Sequence, residues 1–291
     1  MEDPNSFKEQ KNENDKTSED RDSFNWQSIE VQLEMLRQHA VGVSDVNLTK
    51  FLKFKGDVDR AVACLNEHRD FRAQNSWVDD PPLRATCDSE IKRILLSEVV
   101  TSPAQMIDKM GRPSLFIQIH KNDMTDGRTP RDIVRVAFYN IERLLNREEV
   151  LEQGVVLVYD LRGSNKKNFH LGVPKVIFPA LSGGKIPIKV KAFYFISPPW
   201  VFKAFYAIAS LFLSKKLKSR VQILNNVEQL LQYFGKENLP EVLGGTLQHD
   251  QKQWVENQIA EEESVPLLEV LVKTTERMGL QSGERSKIEE S

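Results

Sequence analysis

Cysteine is scarce in this chain, with 2 among 291 residues, and Cys64 and Cys87 cannot build a disulfide framework. Between Met1 and Asn25 the sequence is acidic and polar where the apolar core of a secretory signal would stand. The expected compartment is therefore reduced and cytoplasmic. No apolar run reaches the roughly 20 residues that a membrane-spanning helix needs. Glycine and proline, at 14 and 13, are too few for a collagen-like or low-complexity chain. Catalytic signatures are missing too: there is no Walker loop, no GxGxxG after a strand, no GxSxG elbow and no HExxH. His39, His68, His120, His170 and His249 are scattered without zinc-ligand spacing. Neither cysteine has the setting of a thiolate nucleophile. These absences predict neither an enzyme nor a bound metal or cofactor.

Net charge also looks absent, since 40 Lys and Arg stand against 42 Asp and Glu, leaving -2. The balance is a cancellation. Residues 1–25 carry -4 and residues 249–291 carry -5, so residues 26–248 hold a surplus of seven bases. Within them, Lys185 to Arg220 contains eight bases and no acid: Lys185, Lys189, Lys191, Lys203, Lys215, Lys216, Lys218 and Arg220. A local excess of this kind points to an anionic partner met at one place, or to a solvated face.

Four segments are expected. Residues 1–25 are too polar to offset the entropy of ordering and read as disordered. Residues 26–80 read as a helical subdomain that opens at Trp26: Ile29, Leu33 and Leu36 keep helical spacing, Ser44 or Asp45 can cap a second helix, Gly56 ends it, and Asp57 can cap a third. Residues 81–248 alternate between strands and helices. Leu115–Ile119, Val155–Tyr159, Val190–Ile196 and Val221–Leu224 read as strands, whereas Ile133–Leu145, Val173–Leu181 and Val227–Phe234 have helical spacing. Continuous apolar strands separated by helices predict an α/β fold with a mixed, largely parallel sheet covered on its faces. Residues 249–291 read as an acidic, partly helical tail, with amphipathic stretches at Trp254–Ile259 and Leu267–Met278 that dock on the parent domain or bind a protein partner.

The run from Trp200 to Leu213 carries one charge, Lys203, and is followed directly by Lys215, Lys216 and Lys218. Two readings fit: a helix buried in the α/β domain, or an amphipathic helix that covers an apolar space and dips into a membrane surface beside its basic anchors. Asp160, at the end of a strand, stands where α/β enzymes often place a functional group. Without a partner base it reads as a turn residue.

The blocks FLKFKGD at Phe51–Asp57, VVLVYDLRG at Val155–Gly163, AFYFISPP at Ala192–Pro199, and the closing LPE and LGG at Leu239–Glu241 and Leu243–Gly245 occur in order. Together they resemble the CRAL-TRIO lipid-binding domain, over roughly Trp26 to Gln248. Within that family, DLRGSNKKNF at Asp160–Phe169 and SRVQIL at Ser219–Leu224 look most like the lipid-binding module of a non-receptor tyrosine phosphatase. No HCxxxxxR loop is present, so phosphatase chemistry is not implied.

The resemblance implies a mixed sheet that encloses an apolar pocket, with a mobile helix over its mouth. Here that gate corresponds to Trp200, Phe202, Phe205, Ile208 and Phe212. Phe138, Tyr159, Phe178, Phe193 and Phe195 are the aromatic candidates for the lining, each of them equally suited to ordinary core packing. Burying about 16 methylenes at roughly 0.8 kcal/mol each offers on the order of 13 kcal/mol before ordering costs, enough to draw a lipid from a bilayer. Tocopherol-transfer members contact phosphorylated inositol lipids through bases that correspond to Lys55, Lys189, Lys191, Lys216 and Arg220. Phosphatidylinositol-transfer members carry an acid after a proline on the same strand, where this chain has Ile188 after Pro187. The reading is an intracellular lipid-binding or lipid-transfer protein that docks peripherally on anionic, phosphoinositide-containing membranes. The rival reading is a lipid-sensing adaptor that recruits a protein partner without moving lipid.

Overall fold

A computed structural model of the chain describes residues 29–40 and 43–264. The acidic 1–25 segment, Trp26 and the Leu267–Met278 stretch lie outside these residues.

Three helices open the fold: α1 (Ile29–His39), α2 (Asp45–Lys55) and α3 (Val58–Gln74). Gly56 terminates α2 in the left-handed region at φ 71°, donating its N–H to Leu52 O, and Asp57 caps α3 by accepting from Arg60 N–H. The three helices share a small core of Leu36, Leu48, Phe51, Leu52, Ala61, Cys64 and Leu65. Specific polar contacts bind this unit to the rest. Cys64 Sγ donates to Gly184 O at 2.6 Å, and Arg72 bridges Asp79 at 2.9 Å and Glu142 at 2.8 Å.

Next comes α4 (Ser89–Leu96), capped by Asp88, and then the sheet begins with β1 (Val100–Thr101) and β2 (Ser114–Gln118). Helix α5 (Pro130–Leu144) starts with a capping box between Thr129 and Asp132, with Pro130 in its first turn. Helix α6 (Glu148–Gln153) leads into β3 (Val155–Asp160), α7 (Pro174–Ser182) into β4 (Val190–Ile196), and α8 (Trp200–Ala209) with the short α9 (Lys215–Lys218) into β5 (Val221–Leu224). Helix α10 (Gln251–Glu263) follows the closing segment. The strands lie in the order β1-β2-β3-β4-β5, with β1 antiparallel to β2 and every later pair parallel. This is the mixed, largely parallel α/β sheet that the sequence predicts. Two local expectations differ. Ile119 leaves the sheet for a 3-10 turn, because Gln118 is the last residue paired with β3. Val227–Gln232 is 3-10 rather than α-helical.

Strand alternation divides the sheet into two buried faces. Leu115, Ile117, Val155, Leu157, Phe193 and Phe195 face α5, α7 and α8, while Phe116, Val156, Val158, Tyr194 and Ile196 pack against Leu230, Phe234, Leu239 and Leu243. In β4 the register slips between the pairs Val155–Val190 and Val156–Ala192, so Lys191 is an extra residue. That bulge places Val190 on the same face as Phe193.

Helix α10 is fastened by a buried carboxylate. Glu262, 4% exposed, accepts from Tyr139 Oη at 2.7 Å, Arg143 Nη2 at 2.7 Å, and Thr86 N–H and Oγ1 at 3.0 Å each. Removing it strands a half-buried guanidinium and a buried phenol. We expect Glu262→Ala to cost about 3–5 kcal/mol in urea unfolding at neutral pH, and Glu262→Gln, which keeps an acceptor for these donors, to cost less. An unchanged midpoint for Glu262→Ala would show the network to be marginal.

Candidate functional site

On the α5–α7–α8 face the apolar side chains do not fill the space. A cavity of about 110 Å³ remains, lined by Leu115, Ile117, Leu157, Tyr159, Phe169, Ile177, Phe178, Phe195, Phe202, Phe205 and Tyr206 among others. The sheet forms its floor and α8 its roof. Phe202 packs on Phe195 with ring centroids 5.0 Å apart, Tyr206 on Phe195 at 5.7 Å, and Phe205 on Phe169 at 4.9 Å.

Of the aromatics singled out for the lining, Tyr159, Phe178 and Phe195 reach the cavity. Phe138 lies elsewhere: it stacks on Phe71 at 5.7 Å, with the Arg72 guanidinium 4.9 Å from its ring centroid. Phe193, fully buried, sits against Phe178 at 6.3 Å and Phe195 at 6.5 Å rather than on the cavity wall. Phe169 also lines the cavity, from a polar loop whose sequence shows no periodicity. Its position follows from the asparagine pair below it, in which Asn168 Nδ2 donates to Asn122 O and Asn122 Nδ2 donates to Asn168 O, both at 3.0 Å.

Helix α8 and the 3-10 turn Ser210–Phe212 that extends it are apolar on both sides. Phe202 and Ala209 are buried, Phe205 and Phe212 half-buried. Its outer side shows Trp200 at 88%, Ile208 at 47% and Leu211 at 73% exposure, with Lys203, Ala204 and Ala207 between them. Both ends are fixed by hydrogen bonds. Ser197, held at φ 46° where few non-glycine residues sit, donates its N–H to Leu224 O at 2.7 Å and its Oγ to Asn225 O at 3.0 Å. Ser214 N–H donates to Ser182 Oγ at 3.1 Å.

The five predicted head-group bases belong to the opposite end of the strands from Trp200. Lys189 and Lys191 flank Val190 at the start of β4, and Arg220 precedes β5 and donates to Val190 O. Burial, with the neighbouring Arg112 guanidinium, pushes the Arg220 pKa down. Lys55 Nζ lies 4.6 Å from the Phe54 ring centroid and beside the Gly184 turn that precedes β4. Lys216 is exposed on α9. Gly154, at φ 80°, has no room for a side chain: a Cβ there would meet Lys189 O and lie 2.9 Å from Lys191 Cγ. Asp160 is paired within its own turn, accepting from Arg162 Nε at 2.9 Å and Nη2 at 2.7 Å. Among the described residues no group of His, Cys, Asp and Glu is arranged to hold a metal ion, and no helix is long and apolar enough to cross a membrane.

Comparison with known proteins agrees with this architecture. The chain is 34% identical over 206 residues to human tyrosine-protein phosphatase non-receptor type 9, covering 69% of this chain and 32% of the phosphatase. It thus spans about a third of that relative's length. It is 26% identical over 233 residues to human alpha-tocopherol transfer protein-like, covering 76% of this chain and 66% of that protein. The crystal structure of Sfh5 matches with a TM-score of 0.51 at 12% identity, over 82% of this chain and 99% of that one, which is a likeness of fold. The sequence profile of the CRAL/TRIO domain matches residues 99–245, from the strand that opens the sheet to the Gly244–Gly245 turn that closes it, and the chain belongs to the CRAL/TRIO family.

Proposed function

We propose that this protein carries one hydrophobic lipid in the cavity beneath α8 and loads or unloads it at an anionic membrane surface. The observation that carries the reading is α8 with its 3-10 extension Ser210–Phe212, a roof over an apolar cavity whose outer side exposes Trp200, Ile208 and Leu211 to solvent. Exposed large apolar side chains in one stripe mark a contact surface. A helix that begins with Trp200, carries Lys203 and leads on to the α9 lysines has the composition of an interfacial helix. Family membership and the relative named for tocopherol transfer support the same reading.

The cavity volume of about 110 Å³ is below the roughly 300–1,000 Å³ of small-molecule sites. Uptake of a lipid chain therefore requires α8 to move outward. The hydrogen bonds at Ser197 and Ser214 hold the two ends, and between them Phe202, Ala209 and Leu213 are buried. The helix can hinge on these ends without unfolding the sheet.

In this reading Lys55, Lys189, Lys191, Lys216 and Arg220 attract an anionic leaflet, phosphoinositides included. Each base near such a surface contributes about 1 kcal/mol, so five contribute at most about 5. Lys189→Glu, Lys191→Glu and Lys216→Glu together are expected to weaken binding to vesicles containing phosphatidylinositol bisphosphate by more than about tenfold, and to flatten its salt dependence. Equal binding by wild type and variant would remove the bases from the mechanism. In a vesicle-to-vesicle transfer assay, binding without net lipid movement would favour the adaptor reading.

The two aromatics of α8 separate packing from membrane contact. Phe202→Ala is expected to cost about 3–5 kcal/mol in thermal or urea unfolding, since it removes a buried ring from Phe195, Phe169 and Tyr206. Trp200→Ala is expected to change stability by no more than about 0.5 kcal/mol while reducing vesicle binding and transfer. If Trp200→Ala binds and transfers as wild type does, the exposed stripe is not the membrane contact.

A further inference from the structure

We propose that residues 265–272, which follow α10 directly, dock in a cleft between the opening helices and the sheet domain. The contact is independent of what the cavity beneath α8 carries.

The cleft has a volume of about 580 Å³, against about 110 Å³ beneath α8. One wall belongs to the helical subdomain and includes Val46 and Phe51 of α2 and Leu65 of α3. The facing wall includes Ile141 of α5 and Leu145 just after it. Val46 is 68% exposed, so apolar surface in this cleft is open to water.

The end of α10 forms part of the same cleft, since Glu261, Glu262 and Ser264 all line it. The point at which the chain leaves the helix is fixed there. Pro266 has no N–H to give the Glu262 carbonyl four residues back, and its ring crowds that oxygen. Arg84 Nη2 donates to Glu262 O in its place, and Arg84 lines the cleft as well. The carboxylate of Glu262 is held at the same time by Tyr139, Arg143 and Thr86. The last turn of α10 is thereby tethered at the cleft, and residue 265 starts from its wall.

The sequence that follows suits this surface. Residues 265–272 read VPLLEVLV, with Glu269 the one charge, and no other stretch of residues 249–291 is as apolar. Eight residues can span up to about 28 Å. Leu267, Leu268 and Leu271 would exchange water for the apolar side chains of the two walls, which is favourable and needs no particular geometry. A segment tethered at the wall has an effective concentration in the roughly millimolar range, whereas a second copy of the chain arrives from dilute solution. Docked in this way, residues 265–272 tie α10 to α2. They fasten the helical subdomain to the sheet domain in addition to the Cys64–Gly184 bond and the Arg72 ion pairs.

The full chain would carry photoreactive p-benzoylphenylalanine in place of Leu268, be irradiated at low micromolar concentration, and be mapped by peptide mass spectrometry. We expect the adduct within one chain, on residues 43–51 or 139–146. Adducts on other elements, adducts only between two copies, or no adduct at all overturn the inference. A second measurement compares amide hydrogen exchange in wild type with that in the variant carrying Leu267→Asp, Leu268→Asp and Leu271→Asp. The Phe51 and Leu52 amides of α2 are expected to exchange about tenfold faster in the variant. Those of β3 and β4 should be unchanged, which also shows that the variant is folded. Equal exchange of α2 in the two proteins overturns the inference and leaves the lipid-carrying reading standing.

Discussion

The contact between Phe202 and Phe195, ring centroids 5.0 Å apart, joins the roof of the cavity to the sheet. Phe195 also touches Tyr159, Phe193 and Tyr206, so a single ring couples the floor, the wall and the roof. The cavity lies beside these rings, lined by Tyr159, Phe195, Phe202 and Tyr206. Lifting α8 in water exposes Phe202, Phe205 and Tyr206, each worth roughly 1.5–3 kcal/mol, a large part of the net stability of a domain of this size. Against hydrocarbon the same exposure costs little, because lipid tails are as apolar as the core that the rings leave. On the proposed reading, the roof is thus held shut in water and released against a bilayer.

A second constraint comes from the bulge at Lys191. Without the extra residue, Val190 would share a face with Ala192 and Tyr194, and the start of β4 would present a different side chain to the cavity. With it, Val190 closes the cavity end of the strand while Lys189 and Lys191 flank it. Gly154 is part of the same local solution, since only a residue without a side chain can pass Lys189 O and Lys191 at this distance. The placement of the basic residues is therefore a property of the sheet's irregularity, and Arg220 adds to it by bonding the Val190 carbonyl from the next strand.

Much of this was readable from residue order. The runs Val155–Asp160, Val190–Ile196 and Val221–Leu224 are strands because they are continuous, β-branched or aromatic, and bounded by turn residues. What could not be read is which side of an element faces which neighbour. Phe138 and Phe195 are equally apolar, yet Phe138 meets Phe71 of α3 and Phe195 meets the cavity, a difference made by how α3 lies on α5. Phe169 was hidden for the opposite reason: its position is fixed by the Asn122–Asn168 hydrogen bonds, and long-range amide pairing leaves no period in a sequence. The two-residue strand β1 is too short to show alternation, and over the two turns of Val227–Gln232 apolar spacing does not separate a 3-10 from an α-helix.

The division of labour along α8 follows from its length and from the reach of charge. Ten residues at 1.5 Å per residue make a helix of about 15 Å, so Trp200 and the α9 lysines are separated by more than the roughly 8 Å over which charges act at physiological salt. The bases cannot hold Trp200 at a surface by themselves. On the proposed reading they bring the α9 end to an anionic leaflet first, and Leu211, Ile208 and Trp200 then meet the bilayer in sequence from that end. A proton-free, purely physical opening of this kind asks nothing of Asp160, which stays bound to Arg162 at the far end of β3. On the proposed reading the acidic residues 1–25 and 249–291, at -4 and -5, disfavour contact with an anionic surface, whereas the surplus of seven bases in residues 26–248 favours it.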